Sequence, residues 1–561
     1  MLLFRGLNVS RHGKRFYVPT ALLVLGLLLR LPLLANGLWG DEGFTYYDVS
    51  APTLREMFSR ITLSETNPPL FFLLLRFWTH LIGFSEIALK TFPLLWSTAS
   101  LFATYWLARA CASRLTALTA LFFIATSYEA IVFSTEVRPY AMEQFFATMC
   151  VLFYVRAIFK GSMRSLAMWV VCAILLILTQ YTGLLLMGAL IVATILFRKA
   201  VVVNAKRIIF AYVLVASAFA FWIPTFMHHM QAGTPWFTKL LLPERVGVFF
   251  DTISLFMPMA PFPLEIIGRL PNNAVATFLV LTGSLGIILE YYRACRRQEK
   301  PDASFPFLLC VFFVAMLEMS ATGYLPNRYF MPFASIIMAA YAEIFVRLLL
   351  FMRNSLERHA ALRRQWIQRL LTPLALGYVL LVLIFSVVES NNVLKNPKSG
   401  FRALAAQASL PAHDARVLWL VAPDYSASIL GYYFRDIPDF QMRLHGFVRW
   451  ESPEILQVSG YSALWEDNHA LEIVLERIAA SACEKFDTLA FVKPMLLYQH
   501  PVDQGLMQYG KARHLEEALR RRYSILQTRL YEGHNEHASL ILFHLHCNHL
   551  LVENASPLSQ W

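Results

Sequence analysis

An adjacent acidic pair, Asp41 and Glu42, stands in the stretch Gly37-Leu38-Trp39-Gly40-Asp41-Glu42-Gly43-Phe44-Thr45-Tyr46-Tyr47, directly after the first apolar segment. Removing a carboxylate from water is costly, so acids beside a bilayer tend to be paired, metal-bound or chemically active. The plainer reading is an acidic loop that faces water. Two further stretches carry cations next to tyrosine: Glu136-Val137-Arg138-Pro139-Tyr140 and Leu325-Pro326-Asn327-Arg328-Tyr329-Phe330-Met331-Pro332. Pro139 disfavours helix at Arg138 and keeps it extended at the edge of a span. An arginine there can grip a phosphate through charge-assisted hydrogen bonds, although Arg–Tyr pairs also serve as interfacial anchors. Gln180-Tyr181-Thr182-Gly183 adds hydrogen-bonding groups suited to a sugar. Together these residues supply cations for a phosphate and an acid that could act as base or metal ligand.

The elements that must position them are membrane helices. Of 561 residues, 57% are hydrophobic and 15% charged, against roughly 25% charged in soluble domains. The net charge of +12 lies in short Lys/Arg runs between apolar spans, which reads as a topology signal and not as a nucleic-acid surface. The first apolar segment, 17–34, lacks a small-residue cleavage site and reads as a retained anchor. Residues 1–15 hold four bases and no acid, which keeps this end cytoplasmic. Further spans are expected near 91–108, 115–133, 141–159, 166–180, 181–197, 207–227, 274–292, 305–320, 329–350 and 371–389. Placing the basic junctions inside puts 136–140, 180–183, 227–273, 322–328 and the tail after 389 outside. The apolar run from Pro68 to Gly83 is short and contains Arg76. If it does not cross, there are eleven spans; if it crosses, Val246 to Pro263 supplies the compensating passage and there are thirteen. Ala51 to Phe58 reads as an amphipathic interfacial helix with proline at its start, and Val246 to Ile253 as an interfacial cap or lid.

After about residue 395 the pattern alternates strand and helix: strands at 416–423, 488–492 and 538–546, helices at 427–434 and 505–521. This predicts a small α/β domain. No glycine-rich phosphate loop follows a strand, which argues against a nucleotide site. Of seven cysteines only Cys483 and Cys547 share this domain, and they could pair only in an oxidising compartment. His544, His546, Cys547 and His549 cluster without zinc spacing, so an ordinary strand end is the preferred reading.

The order Trp39-Gly40-Asp41-Glu42, Asn67-Pro68-Pro69-Leu70, Arg138-Pro139-Tyr140, Gln180-Tyr181-Thr182 and Arg328-Tyr329-x-x-Pro332 resembles the GT-C membrane glycosyltransferases. The bacterial branch related to protein mannosyltransferases and to the lipid A aminoarabinose transferase is the most similar. The resemblance covers about residues 10–390. It implies a mainly helical GT-C-like module over 1–390 and an extracytoplasmic α/β domain over 391–561, in the inner (plasma) membrane. It further implies transfer of a sugar from a polyprenyl-phosphate donor to a glycolipid or glycan acceptor at the outer face. Carried over residue by residue, Asp41 is the general base or a metal-assisted acid, with Glu42 beside it. Arg138, Tyr140, Arg328, Tyr329 and Lys90 contact the donor phosphate, and Asn67, Gln180 and Tyr181 the substrate. Asn67 stands where relatives often have His or Glu, and Gln180 where His is common, which puts use of a divalent metal cation in doubt. Lys398 to Ala403 is similar to a degenerate form of the Trp-Arg segment that often opens the outer domain. A flippase or a subunit that has lost activity are the rival readings. Glu143, Glu290 and Glu318 lie near span ends, however, and no internal repeat of the transporter kind is visible.

Overall fold

The computed structural model describes residues 14–232, 272–322, 327–357, 377, 380–384, 386–388, 391, 399–407, 414, 416–421, 425–437, 444–446, 486–496, 507–532 and 536–545. The Val246–Ile253 segment, Leu325 and Pro326, the bases at 358–369, Cys483 and the His546–His549 cluster lie outside these residues. The chain divides into two compact units. One holds 1–36, 48–235 and 239–395; the other holds 37–47, 236–238 and 396–561.

The first unit is helical. Its helices are α1 (Lys14–Arg30), the end of α2 (Gly40–Val49), α3 (Leu54–Ser64), α4 (Leu70–Ile82), α5 (Glu86–Cys111), α6 (Arg114–Thr126), α7 (Tyr128–Val132), α8 (Tyr140–Lys160), α9 (Met163–Ile177), α10 (Thr182–Leu196), α11 (Ala205–Phe219), α12 (Ile223–Ala232), α13 (Asn272–Arg296), α14 (Ser304–Thr322) and α15 (Ala334–Glu357). Among the described residues four helical stretches are long and apolar enough to cross a membrane: 17–35, 140–160, 205–231 and 328–351. The pair α6–α7, bent by 61°, makes a fifth, and α4, α9, α10 and residues 304–319 are shorter apolar helices. At 1.5 Å per residue, the thirteen residues of α4 rise about 20 Å, short of a hydrocarbon core of about 30 Å.

Polar stitches tie these apolar helices together, as expected where lipid removes the usual hydrophobic drive for association. Thr104 on α5 and Thr148 on α8 both bond Ser335 on α15, each at 2.8 Å. Tyr154 on α8 meets Thr194 on α10 at 2.8 Å. Arg30, the last residue of α1, is fully buried and donates to Ser97 Oγ and to the Gly26, Ile124 and Ala125 carbonyls, so α1, α5 and α6 meet on one side chain. Thr53 caps α3 by accepting from Glu56 N–H, so Pro52 precedes the cap and does not occupy the first helical turn.

The second unit carries a five-stranded sheet of order β2-β1-β3-β5-β4, with β1 (Val417–Val421), β2 (Leu444–Gly446), β3 (Thr488–Leu496), β4 (Ser524–Tyr531) and β5 (Glu536–His544). β1 pairs in parallel with β2 and β3; β5 runs antiparallel to β3 and β4. Helices α16 (Phe401–Gln407), α17 (Tyr425–Tyr433) and α18 (Met507–Arg522) accompany it. Leu515, Ala518 and Leu519 of α18 join Leu418, Leu420, Leu489, Phe491, Ile541 and Phe543 of the sheet in one core.

Candidate active site

Polar groups concentrate in the first unit around one ion pair. Arg138, just before α8, and Glu65, just after α3, form a two-pronged bridge: Nη1 to Oε1 at 2.6 Å and Nη2 to Oε2 at 3.2 Å. Asn67 Nδ2 donates to the same Glu65 Oε2 at 2.9 Å. All three side chains are buried. The local backbone explains the placement of Arg138. Pro139 is the N-cap of α8, and Arg138 N–H closes a three-residue turn onto the Glu136 carbonyl at 2.7 Å.

Asp48, at the end of α2, lies in the field of this pair. Its carboxylate is buried, and neither oxygen has a hydrogen-bond partner. Burial pushes the Asp48 carboxyl well above its usual range, and the Glu65 carboxylate pushes the same way; Arg138 and Arg60 pull it back. Two buried carboxylates set against one buried guanidinium favour the protonated form of Asp48.

Two more side chains hold the segments that carry these acids. Arg76 on α4 donates to the Val49, Ala51 and Pro52 carbonyls, so a buried cation caps the C-terminal end of α2. The arginine that interrupts the short apolar run therefore has a positioning role. His229 on α12 donates from Nε2 to the Ile61 and Thr62 carbonyls near the end of α3, at 3.2 and 3.1 Å. Carbonyls only accept, which fixes the tautomer. Nδ1 then accepts from the Tyr181 hydroxyl at 2.9 Å, and that oxygen accepts from Trp222 Nε1 at 3.0 Å. Thr182 donates to Glu143 Oε1, while Glu143 Oε2 and Gln180 Oε1 are buried without a hydrogen-bond partner.

In the second unit, Gly37 to Tyr47 packs on α17, nearly four hundred residues away in sequence. Leu38 N–H donates to the Tyr433 hydroxyl at 2.9 Å, and Tyr46 meets Tyr432 edge-on at 4.9 Å. A Cβ on Gly43 would sit 2.8 Å from the Ile429 backbone nitrogen, which explains a glycine there. Glu42 is fully buried and accepts from Trp39 N–H at 3.1 Å, capping the first turn of α2. Asp41 is half-buried in the same turn, where the helix N-terminus favours a carboxylate.

Residues 66–228 match the family model described as dolichyl-phosphate-mannose-protein mannosyltransferase. Compared with curated protein sequences, the chain has no match. Among solved structures it is similar to ArnT from Cupriavidus metallidurans bound to undecaprenyl phosphate: TM-score 0.55, 14% identity, 95% of this chain and 98% of that one. The apo form of the same protein matches at a TM-score of 0.52 and 13% identity, over 95% and 98% of the two chains. The oligosaccharyltransferase AglB from Archaeoglobus fulgidus matches at 0.48 and 13%, over 86% and 70%. The chain therefore shares the fold of the ArnT structures.

Within the helical unit the structure brings Arg138 and Asn67 together through Glu65, and joins Tyr181 to His229. Lys90 is buried on α5, and Tyr140 is buried against Phe133, with ring centroids 5.6 Å apart. Arg328 lies over the ring of its neighbour Tyr329, 5.8 Å from the centroid. Asp41 and Glu42 belong to the other compact unit.

Glu65, Asp48, His229 and Trp222 went unmarked in the sequence. Glu65 had a signal, standing two residues before Asn67-Pro68-Pro69. Asp48 had a weaker one, two helical turns after Asp41. At the Glu65 bridge the carboxylate is already engaged. Both Glu65 oxygens already accept from Arg138, and one accepts from Asn67 as well. Among the described residues no group of three or more His, Cys, Asp or Glu is placed to hold a metal.

Proposed function

We propose that this membrane protein transfers a sugar from a polyprenyl-phosphate donor to a lipid or glycan acceptor at the extracytoplasmic face of the plasma membrane. The observation that carries the reading is a polar interior inside the family-matched segment. Residues 66–228 contain Asn67, Lys90, Arg138, Tyr140, Gln180 and Tyr181, and all but Tyr181 are buried among apolar helices. Ionisable side chains are expensive in such an interior and are kept there for function. The ArnT structure with undecaprenyl phosphate supports the class of lipid carrier.

In this reading Asp41 takes the proton from the acceptor hydroxyl as its oxygen bonds to the anomeric carbon. The bond from that carbon to the donor phosphate breaks, and its electron pair leaves with polyprenyl phosphate. A positioned base contributes about 10²–10⁴ in rate. Arg138 and Arg328, with Lys90, Tyr140 and Tyr329, stabilise the leaving phosphate. Glu65 and Asn67 set the plane of the Arg138 guanidinium, and Asn67, Gln180 and Tyr181 contact the sugar. One displacement with no covalent enzyme intermediate inverts the anomeric centre. Glu42 supports Asp41 as a helix cap and does not share its chemistry.

The test offers purified protein a panel of polyprenyl-phosphate sugars with envelope glycolipid extract. Released polyprenyl phosphate is followed by mass spectrometry, and the product anomer by NMR. One donor giving release with an inverted product is the expected result. Retention of configuration would remove the single-displacement mechanism. Lipid-linked sugar bound but never turned over would favour a flippase or an inactive subunit.

A further inference from the structure

The second unit has an exposed edge that carries none of the residues assigned to the proposed transfer. Among the described residues strand β4 stands at the end of the sheet, and from Ser524 to Leu530 every residue is exposed, on both faces. Three of these are large and apolar: Ile525, Leu526 and Leu530, at 43, 56 and 52% exposure. The β4–β5 register shifts between Ile525 and Gln527, so Leu526 has no partner across the ladder and bulges from the strand. Immediately before the strand, α18 ends in Arg520, Arg521 and Arg522, all exposed, and Arg529 follows within it. From Arg520 to Tyr531 there are four arginines and no acid. Arg520 is bonded to Glu516, which also pairs with Lys493.

Sheet edges are ordinarily defended against pairing by charge, brevity or cover. This one is eight residues long and mixes apolar bulk with positive charge. A second copy of the chain would bring four arginines against four, which like-charge repulsion disfavours. The combination instead fits a surface that is negative outside and apolar beneath: arginines meet phosphates while leucine and isoleucine enter the boundary of the acyl region.

We propose that the Arg520–Tyr531 edge is a docking surface for anionic phospholipid headgroups, with Leu526 as its most deeply inserted residue. The surface acts whether or not the chain transfers a sugar, so its test needs no turnover.

The full-length protein, as wild type and as Leu526→Cys, is treated with bimane and placed in nanodiscs of phosphatidylcholine alone or mixed with phosphatidylglycerol. Each disc contains a lipid spin-labelled near the headgroup, and wild-type labelling is subtracted as background. Quenching at position 526 in the anionic discs, weak in the zwitterionic ones and relieved by salt, is the expected result. Added Arg520→Ser, Arg521→Ser and Arg522→Ser changes should reduce the membrane-bound fraction, by roughly fivefold for each arginine. Unaltered protease resistance would show that this triple variant still folds. No quenching in either disc would overturn the proposal. So would equal quenching in both, or quenching that appears only when two copies share a disc.

Discussion

Two ion pairs, one in each unit of this chain, hold charge in opposite ways. In the helical unit the Glu65–Arg138 bridge is buried, two-pronged and shared with Asn67. In the sheet unit Arg416 and Asp487 pair in the open, with side chains 64 and 50% exposed. Breaking a buried pair leaves one charge stranded, whereas breaking an exposed pair returns both groups to water. Contacts that look alike on paper therefore carry different weight, and the difference separates residues that organise a site from residues that decorate a surface.

The largest expected effect is at Glu65. Glu65→Ala strands Arg138 and should cost the helical unit about 3–5 kcal/mol, read as a lowered unfolding midpoint in detergent. A loss below about 1 kcal/mol, the exposed-pair level, would erase the contrast. Gly43→Ala is next. Its new Cβ meets backbone, which cannot rotate away, so overpacking should cost about 1–3 kcal/mol, visible as faster proteolysis of the sheet unit. Asp48 sharpens the comparison through pH. Its folded carboxyl holds a proton that the unfolded chain releases. Its contribution to stability therefore falls as pH rises from the ordinary carboxylate range through the raised folded value. Asp48→Asn should flatten that slope in unfolding midpoints measured across pH, and should raise the neutral-pH midpoint. A steeper slope in the variant would contradict the assignment. The smallest effect is expected for Asp487→Asn, within about 1 kcal/mol of wild type, checked by the same melts in the presence and absence of salt.

Much of the architecture was legible because apolar length and basic junctions mark membrane helices directly. Five of the strands and helices of the tail were also legible, helped by the apolar runs from Val417 to Val421 and from Leu489 to Val492. Strand β4 was missed for a physical reason: with both faces exposed, its sequence SILQTRLY carries no core pattern. β2, at three residues, is too short to signal itself. The sheet order was hidden because pairing between β3 and β5 depends on contacts distant in sequence. In the site, Arg138 and Asn67 stood out by motif, but their shared partner Glu65 did not, because a single loop acid has no period. The capping roles of Arg76 and Glu42 follow from helix-end geometry. The packing of Gly37 and Gly43 on α17 follows from tertiary structure alone.

The central claim is sugar transfer with Asp41 as the base, and the most direct measurement compares wild type with Asp41→Asn in single-turnover release of polyprenyl phosphate. The account predicts a loss of about 10²–10⁴-fold, with the unfolding midpoint and donor binding unchanged. Release at the wild-type rate from the Asn variant would contradict it.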